Sequence, residues 1–415
     1  MKQNAYIAGA GMTSFGKHPD RGLKSLAAEA ISAALADAGL ETGDLNAAYM
    51  ANAAGGIITG QVLIPGEVVL RSMGIGRIPV INVENACASA GTALQQAATM
   101  VTLGAYDVVL ACGFEKLVHP DKSKSFAVFA GAVDVEDMAG VEASIHRKLR
   151  AEGINPDTES AGARSIFMDI YATMAAPHMR KYGTTARQFA AVSAKNSRHG
   201  ALNPRAQFRD VLTIEDVLGA RMIAEPLTLP MCSPIGDGAA AVVLVSERKA
   251  RALGLRNPVR IASSTLTTGW DYAPDATDGV FEYTIAAAYE EAGFGPADID
   301  VVELHDASAP SEVLHTEYLG LCAKGDAGPM IERGLTALGG GGRTVVNPSG
   351  GLLRKGHPIG ATGIAQIVEL TEQLRGQSGA RQVDNARLAI AENGGGYVGA
   401  DVGALVVTTL ERQDS

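Results

Sequence analysis

Cysteine is scarce, with four in 415 residues (Cys87, Cys112, Cys232 and Cys322), far apart and without a CxxC pair. That spacing excludes a zinc ribbon and a disulfide framework, and it suits a reducing compartment, so a cytoplasmic location is expected. Long apolar runs are missing too: no stretch reaches the ~18 residues that a membrane-spanning helix needs. Met1-Lys2-Gln3-Asn4 leads straight into the apolar stretch Ala5 to Ala8, so no signal peptide is expected. Positive charge is not in excess. Lys and Arg number 35 against 45 Asp and Glu, a formal net charge of -10, which gives no overall field to draw nucleic acid or an anionic membrane surface. A phosphate-bearing ligand would therefore need a local basic patch.

What is present is a large apolar fraction. With 47% hydrophobic and 19% charged residues, the chain can bury a sizeable core, and its length suggests more than one domain. Short apolar runs alternate with helical segments. Strands are expected at Ala5–Ala8, Ala47–Ala51, Ile78–Val83, Val108–Cys112, Ala239–Val245, Val259–Ser264, Val301–His305, Thr344–Val346, Leu388–Glu392 and Ala404–Thr408. Helices are expected at Leu23–Ala38, Cys87–Leu103, Ala161–Tyr182 (kinked at Pro177), Thr185–Arg198, Thr277–Ala292, Ala309–Leu319 and Gly360–Gly376. Strands separated by helices indicate an α/β fold.

The pattern also repeats. Ala38-Gly39-Leu40 followed by Asp44-Leu45 and a strand is matched, at the same spacing, by Ala292-Gly293-Phe294 followed by Asp298-Ile299 and a strand ending at His305-Asp306. Each half then places a reactive residue before a run of small ones, Cys87-Ala88-Ser89-Ala90-Gly91 and His357-Pro358-Ile359-Gly360-Ala361. A duplicated α/β unit follows, divided here as residues 1–255 and 256–415. Residues 116–227 interrupt the first half with a helix-rich, charged insertion placed to act as a lid. Its basic residues (Lys122, Lys124, His146, Arg147, Lys148, Arg150, Arg180, Lys181, Arg187, Lys195, Arg198 and Arg205) are candidates to hold the phosphates of a nucleotide-bearing substrate, although any one of them also fits a solvated helical face.

Four residues stand out chemically. Cys87, at an expected helix start and among small neighbours, would feel unpaired backbone N–H groups and the positive end of the helix dipole. Both lower a thiol's pKa and favour a nucleophilic thiolate; the plainer reading is a small buried hydrophobe. His357 lies in the Gly-rich loop Asn347 to Gly363, which has neither a GxGxxG nor a GxxxxGK[ST] pattern and so is not read as a phosphate loop. It could take the thiol proton and sustain a thiolate–imidazolium pair. His305 ends an apolar strand, where it could polarise a thioester carbonyl or be a satisfied structural histidine. Glu392 precedes three glycines. Burial could raise its pKa and make it a general base, or it could be an exposed loop carboxylate.

In order along the chain, Asn85-Ala86-Cys87-Ala88-Ser89, Gly236-Asp237-Gly238-Ala239-Ala240-Ala241, His305-Asp306, Gly356-His357-Pro358-Ile359-Gly360-Ala361-Thr362-Gly363 and Gly394-Gly395-Gly396 resemble the motif blocks of the thiolase superfamily. The nearest flavour is that of sterol-carrier-protein-type and bacterial thiolase-like acyltransferases. The resemblance implies an α/β thiolase fold of two similar layered halves with a helical loop domain in the first. It implies Cys87 as the acylated nucleophile, His357 as its base, and His305 in a first oxyanion hole. The amides of Cys87 and Gly394 would form a second oxyanion hole, and Ser233 would lie along a pantetheine arm. The implied reaction is acyl transfer on a 3-oxoacyl-CoA, with coenzyme A as co-substrate and no permanently bound cofactor or metal. A homodimer or homotetramer is implied, and a small zinc-ribbon/OB-fold partner subunit is a family-level possibility. Classical members carry a second cysteine before the glycine run; here Glu392 stands there, and Ala307 holds the alternative position. Glu392 is therefore expected to move the proton at the substrate's α-carbon, with its pKa raised. A synthase-type condensing enzyme and a non-catalytic lipid or acyl-CoA binding subunit are the competing readings.

Overall fold

The computed structural model describes residues 2–156, 164–255, 257–272 and 279–413. Ten strands form one large sheet. The first half supplies β1 (Ala5–Met12), β2 (Ala47–Ala51), β3 (Val80–Val83) and β4 (Val108–Glu115). Within the insertion, β5 (Met222–Ala224) and β6 (Leu227–Thr228) pair only with each other, and β7 (Gly238–Ser246) returns to the large sheet. The second half supplies β8 (Val259–Thr267), β9 (Val301–Glu303), β10 (Val345–Val346), β11 (Leu388–Val398) and β12 (Asp401–Arg412).

The sheet runs β10-β9-β11-β12-β8-β1-β7-β4-β2-β3. Outward from the centre, each half therefore uses its five strands in the same order. Directions repeat as well: β2 lies parallel to β3 and β4, as β9 does to β10 and β11, while β7 and β12 run antiparallel to their neighbours. The halves join where Ala5, Tyr6 and Ile7 pair antiparallel with Ile261, Arg260 and Val259. The duplication seen as a sequence spacing is thus a topological one.

Two helices lie at the centre, Ser89–Thr102 and Thr362–Arg375, packed on each other and on strands of both halves. Leu94, Ala97, Ile364 and Val368 are fully buried in one cluster with Val109, Val242, Ala389 and Leu410; each large aliphatic side chain so buried contributes about 1.5–3 kcal/mol. The second helix has almost no solvent face, and two of its polar side chains find partners inside the protein: Gln366 donates to the carbonyl of Glu392 at 3.0 Å, and Glu369 pairs with Arg381 at 2.9 Å. Small residues permit the close crossing. A Cβ on Gly363 would sit 2.5 Å from the backbone nitrogen of Gly91, closer than atoms approach.

The insertion folds into the helices Lys122–Ala130, Met138–Ala151, Ile166–Tyr182, Ala186–Leu202 and Ile214–Gly219. Their starts carry the expected chemistry: Ser165 accepts from the amide of Phe167, and Thr185 and Gln188 form a capping box. The helix expected from Ala161 begins at Ile166 and continues through Pro177 to Tyr182; its first expected residues, like Thr277, lie outside the described ones. Among the described residues, no helix is long and apolar enough to cross a membrane.

Candidate active site

The strand β3 ends at Val83, and the helix begins at Ser89 rather than at Cys87. Between them the chain makes a tight turn with Ala86 at φ 48°, a left-handed conformation that costs a residue with a Cβ about 1 kcal/mol. Ser89 holds this turn by accepting from the Asn85 amide at 2.9 Å and donating to the Ala86 carbonyl at 2.6 Å. Cys87 thereby projects from the turn into a cavity of about 600 Å³. The glycine run of β11 closes on the same turn: a Cβ on Gly395 would lie 2.3 Å from the Asn85 carbonyl and 2.5 Å from the Ala88 nitrogen.

The turn does not deliver the acidic thiol expected from sequence. Burial pushes the Cys87 thiol up to about 12, and the nearby carboxyls of Glu115 and Glu84 add to the shift, while the amides of Cys87 itself and Gly396 oppose it. Desolvation wins because the helix starts two residues further on and the amides of Cys87 and Gly396 do not offset it. The donor from the glycine run is Gly396, two residues beyond Gly394, and both line the cavity.

Two histidines converge on the sulfur. The Cys87 sulfur and one ring nitrogen each from His305 and His357 lie within 4.8 Å of one another, and the two rings meet edge to face at 5.0 Å. His357 Nδ1 is 2.7 Å from the Thr362 hydroxyl, which itself donates to the Pro358 carbonyl at 3.0 Å. The hydroxyl's hydrogen is thus committed, so Nδ1 must carry the ring hydrogen and Nε2 presents a lone pair. Burial, then His305 and Lys355, hold the His357 pKa well below the ordinary value. His357 is therefore a neutral base, and the resting pair is thiol and imidazole rather than the thiolate–imidazolium pair expected.

His305 is set the other way by Asn393. The Asn393 Oδ1 accepts from the Gly91 amide at 3.3 Å, and its NH2 group donates to the Cys87 carbonyl at 3.0 Å and faces His305 Nδ1 at 3.1 Å. Nδ1 must accept, so Nε2 carries the hydrogen and His305 offers a donor. Burial lowers its pKa to about 4 against the opposing pull of Glu392, which keeps the ring neutral. Cysteine and two histidines are also zinc-ligand types. A ligating Nε2 needs a free lone pair, however, and the Asn393 donor at Nδ1 enforces the opposite tautomer.

Glu392 does not meet expectation. It is fully buried, and its Oε2 accepts from the His305 amide at 3.1 Å and from His315 Nδ1 at 2.8 Å. Burial alone would raise its pKa, but His315 and His305 outweigh that and leave it lowered. It stays a carboxylate, and it stands behind the residues that line the cavity. Ser233 is also off the cavity wall; its amide donates to the Ala307 carbonyl at 3.0 Å.

Residues of the insertion reach the site: Lys148, Phe167, Ile170, Tyr171 and Met174 line the cavity together with Phe281 and Tyr318, a wall that is largely aromatic and aliphatic. Of the basic residues expected to hold phosphates, Arg180 is paired with Glu152, Arg187 with Glu215 and Glu332, Lys195 with buried Glu312, and Arg205 with Glu372. Lys148 lines the cavity and donates to the Tyr397 hydroxyl at 2.8 Å. Glu115, at the end of β4, binds the site's loops together by accepting from the amides of Ala53, Ala54 and Gly360 at 3.1, 3.2 and 3.0 Å. Sequence reasoning missed Asn393, Thr362 and His315. Thr362 lies inside the His357 motif and bonds its near neighbours His357 and Pro358, whereas Asn393, between Glu392 and the glycine run, depends on partners far along the chain.

Comparison with known proteins agrees with this geometry. Residues 5–248 match the family described as thiolase, N-terminal domain, and residues 262–408 match the thiolase C-terminal domain-like family. The chain is 36% identical to the benzoylsuccinyl-CoA thiolase subunit BbsB of Thauera aromatica, over 95% of this chain and 96% of that protein. It is 38% identical to an acetyl-CoA acetyltransferase of Methanothermobacter thermautotrophicus, over 95% of this chain and 96% of that one. It is 36% identical to sterol carrier protein 2 of Bos taurus, over 99% of this chain and 72% of that protein. A solved structure described as an Ltp2-ChsH2(DUF35) aldolase superposes with a TM-score of 0.75 at 26% identity, covering 99% of this chain and 98% of that one. The chain belongs to the thiolase family.

Proposed function

We propose that the protein is a CoA-dependent thiolase-like acyltransferase that cleaves, or in reverse builds, a 3-oxoacyl-CoA through an acyl-Cys87 intermediate. One observation carries the reading: Cys87, a His357 whose Nε2 is a lone pair and a His305 whose Nε2 is a donor meet at an apolar cavity. The tautomers are complementary in role. His357 takes the thiol proton as the sulfur attacks, so the high thiol pKa is met by proton transfer during attack rather than before it. His305 donates to the carbonyl oxygen as charge develops there, with the amides around Cys87 and the glycine run, Gly394 among them, serving the second oxyanion; one such donor is worth about 10²–10³ in rate. The aromatic and aliphatic lining suits an apolar acyl group, and coenzyme A enters as co-substrate, with Ser233 assigned to its pantetheine arm.

A homo-oligomer and a small zinc-ribbon/OB-fold partner belong to the same reading. Its support is that one relative is named a subunit and that a similar structure is named for an assembly. The test is intact mass after incubation with an acyl-CoA. A single acyl adduct is expected, absent in Cys87→Ala, with release as acyl-CoA on adding free CoA. No adduct on the wild-type protein, alone or with a partner, refutes acyl transfer; an adduct without cleavage of any 3-oxoacyl-CoA favours the condensing synthase.

A further inference from the structure

Two buried polar atoms beside the cavity have no hydrogen-bonding partner among the described residues, His315 Nε2 and Glu392 Oε1. They belong to one ion pair. His315 Nδ1 lies 2.8 Å from Glu392 Oε2, and that oxygen also accepts the His305 amide at 3.1 Å. His315 lines the cavity together with Cys87 and His305, while Glu392 sits behind it at 0% exposure. The ring is fixed by packing, with Phe281 at 4.7 Å and Tyr318 at 6.0 Å between centroids. An unpartnered buried polar atom costs about 1–3 kcal/mol, so a rigid pair that leaves His315 Nε2 unpartnered on a residue of the cavity wall marks a place where a ligand supplies the missing contact.

We propose that His315 is the acid/base that moves the proton at the substrate carbon next to the thioester, and that Glu392 is its positioning residue. This rests on the acyl-cysteine reading above. The carboxylate can only accept, so His315 Nδ1 carries a hydrogen and Nε2 is the atom left to exchange a proton with substrate. In cleavage, the Cys87 sulfur attacks C3 of the 3-oxoacyl-CoA and its proton goes to His357. His315 enters cleavage as the imidazolium paired with the Glu392 carboxylate; the C2–C3 bond breaks, its electron pair remains on C2 as the thioester enolate, and the enolate takes the Nε2 proton to give the shortened acyl-CoA product, leaving His315 neutral. Free CoA then attacks acyl-Cys87 and gives its thiol proton to His315, while the departing Cys87 sulfur recovers its proton from His357. Every group returns to its starting state.

This division separates two half-reactions. Acylation of Cys87 by p-nitrophenyl acetate involves no proton on carbon and a leaving group that needs no proton from His315, whereas exchange of the α-hydrogens of acetyl-CoA with D2O tests the proton on carbon alone. His315→Gln is expected to form the Cys87 adduct within about threefold of wild type and to lose α-hydrogen exchange and carbon–carbon cleavage by about 10²–10⁴-fold, the range of general acid–base catalysis. Glu392→Gln is expected to retain adduct formation and lose about tenfold or more in exchange, a split that a merely structural defect does not produce. Exchange by His315→Gln within threefold of wild type overturns the proposal. So does loss of adduct formation in both variants, which would place the pair in acylation or in folding. A wild-type protein that never acylates is a distinct outcome and overturns the acyltransferase reading together with this one.

Discussion

Asn393→Asp is the sharpest test of the polarity inferred at the site, because it changes one group without changing shape. The Oδ1 contact with the Gly91 amide survives, but the NH2 that faced His305 Nδ1 at 3.1 Å and the Cys87 carbonyl at 3.0 Å becomes an oxygen. Two consequences follow. The Cys87 carbonyl loses its donor and meets a like partner, which costs about 1–3 kcal/mol in stability and is read as a lower denaturation midpoint. At His305, a carboxylate beside Nδ1 draws the ring hydrogen to that nitrogen, so Nε2 turns from donor to lone pair. The oxyanion donor is lost, and the acylation rate should fall by about 10²–10³-fold, or roughly 3–4 kcal/mol. The pH dependence supplies the signature. The new carboxylate raises the His305 pKa from about 4, and the imidazolium formed below that raised value again carries a hydrogen on Nε2. Acylation by the variant should therefore recover as pH falls, while His357, held well below the ordinary histidine range, remains available as base. Stopped-flow acylation between pH 5 and 8 measures this; a variant within threefold of wild type, or one whose defect does not shrink in acid, refutes the tautomer assignment.

Other outcomes follow from the same geometry. With its thiol pushed up to about 12, Cys87 should be alkylated by iodoacetamide about tenfold faster for each pH unit between 7 and 10, measured by mass on the residue; a plateau below pH 8 contradicts the raised thiol. Burial raises Glu115 from 4.5 to about 7, so the folded chain holds a proton that the unfolded chain releases. Its stabilising contribution is complete below pH 4.5 and declines as pH rises to 7, by about 1.4 kcal/mol per unit at the steepest; Glu115→Gln should flatten the slope of unfolding free energy over that window, and an unchanged slope counts against it. A Cβ on Gly363 would fall 2.2 Å from Asn393 Oδ1 and 2.5 Å from the Gly91 nitrogen, so Gly363→Ala should cost about 1–3 kcal/mol and slow acylation through Asn393; coincident unfolding curves rule out the close crossing.

Where local pattern decides structure, the sequence was readable. Leu23–Ala38 and Ala47–Ala51 coincide with expectation residue for residue, because a helix closed by Gly39 in the left-handed region and a fully buried short strand are specified by their own residues. The glycines after Glu392 misled: they continue β11 to Val398, because Gly394 and Gly395 pair with Leu405 and Ala404 of β12. Charge states were the least legible. The thiol of Cys87, the base character of Glu392 and the phosphate-binding capacity of the insertion's basic residues depend on burial and on carboxylates or histidines elsewhere in the chain. Spacing along the sequence does not encode these.

The duplication explains why the chemistry is asymmetric on a symmetric frame. Ala47 pairs with Val109 as Val301 pairs with Ala389, which makes Cys112 and Gly113 of β4 the counterparts of Glu392 and Asn393 of β11. In each half these positions meet the start of the central helix. Gly113 has no side chain to offer, and a Cβ there would strike the Gly360 carbonyl at 2.4 Å and the Ala361 Cα at 2.8 Å, so the segment carrying His357 lies directly on the backbone. Asn393 fills the matching place with an amide that bonds the helix amide of Gly91, the Cys87 carbonyl and His305. Cys112 beside Gly113 is buried, with a thiol raised by desolvation alone. Glu392 beside Asn393 holds an ion pair. The first half thus contributes the nucleophile and close packing, and the second contributes His305, His357 and the Asn393 that sets the His305 tautomer, so the site exists where the two halves meet.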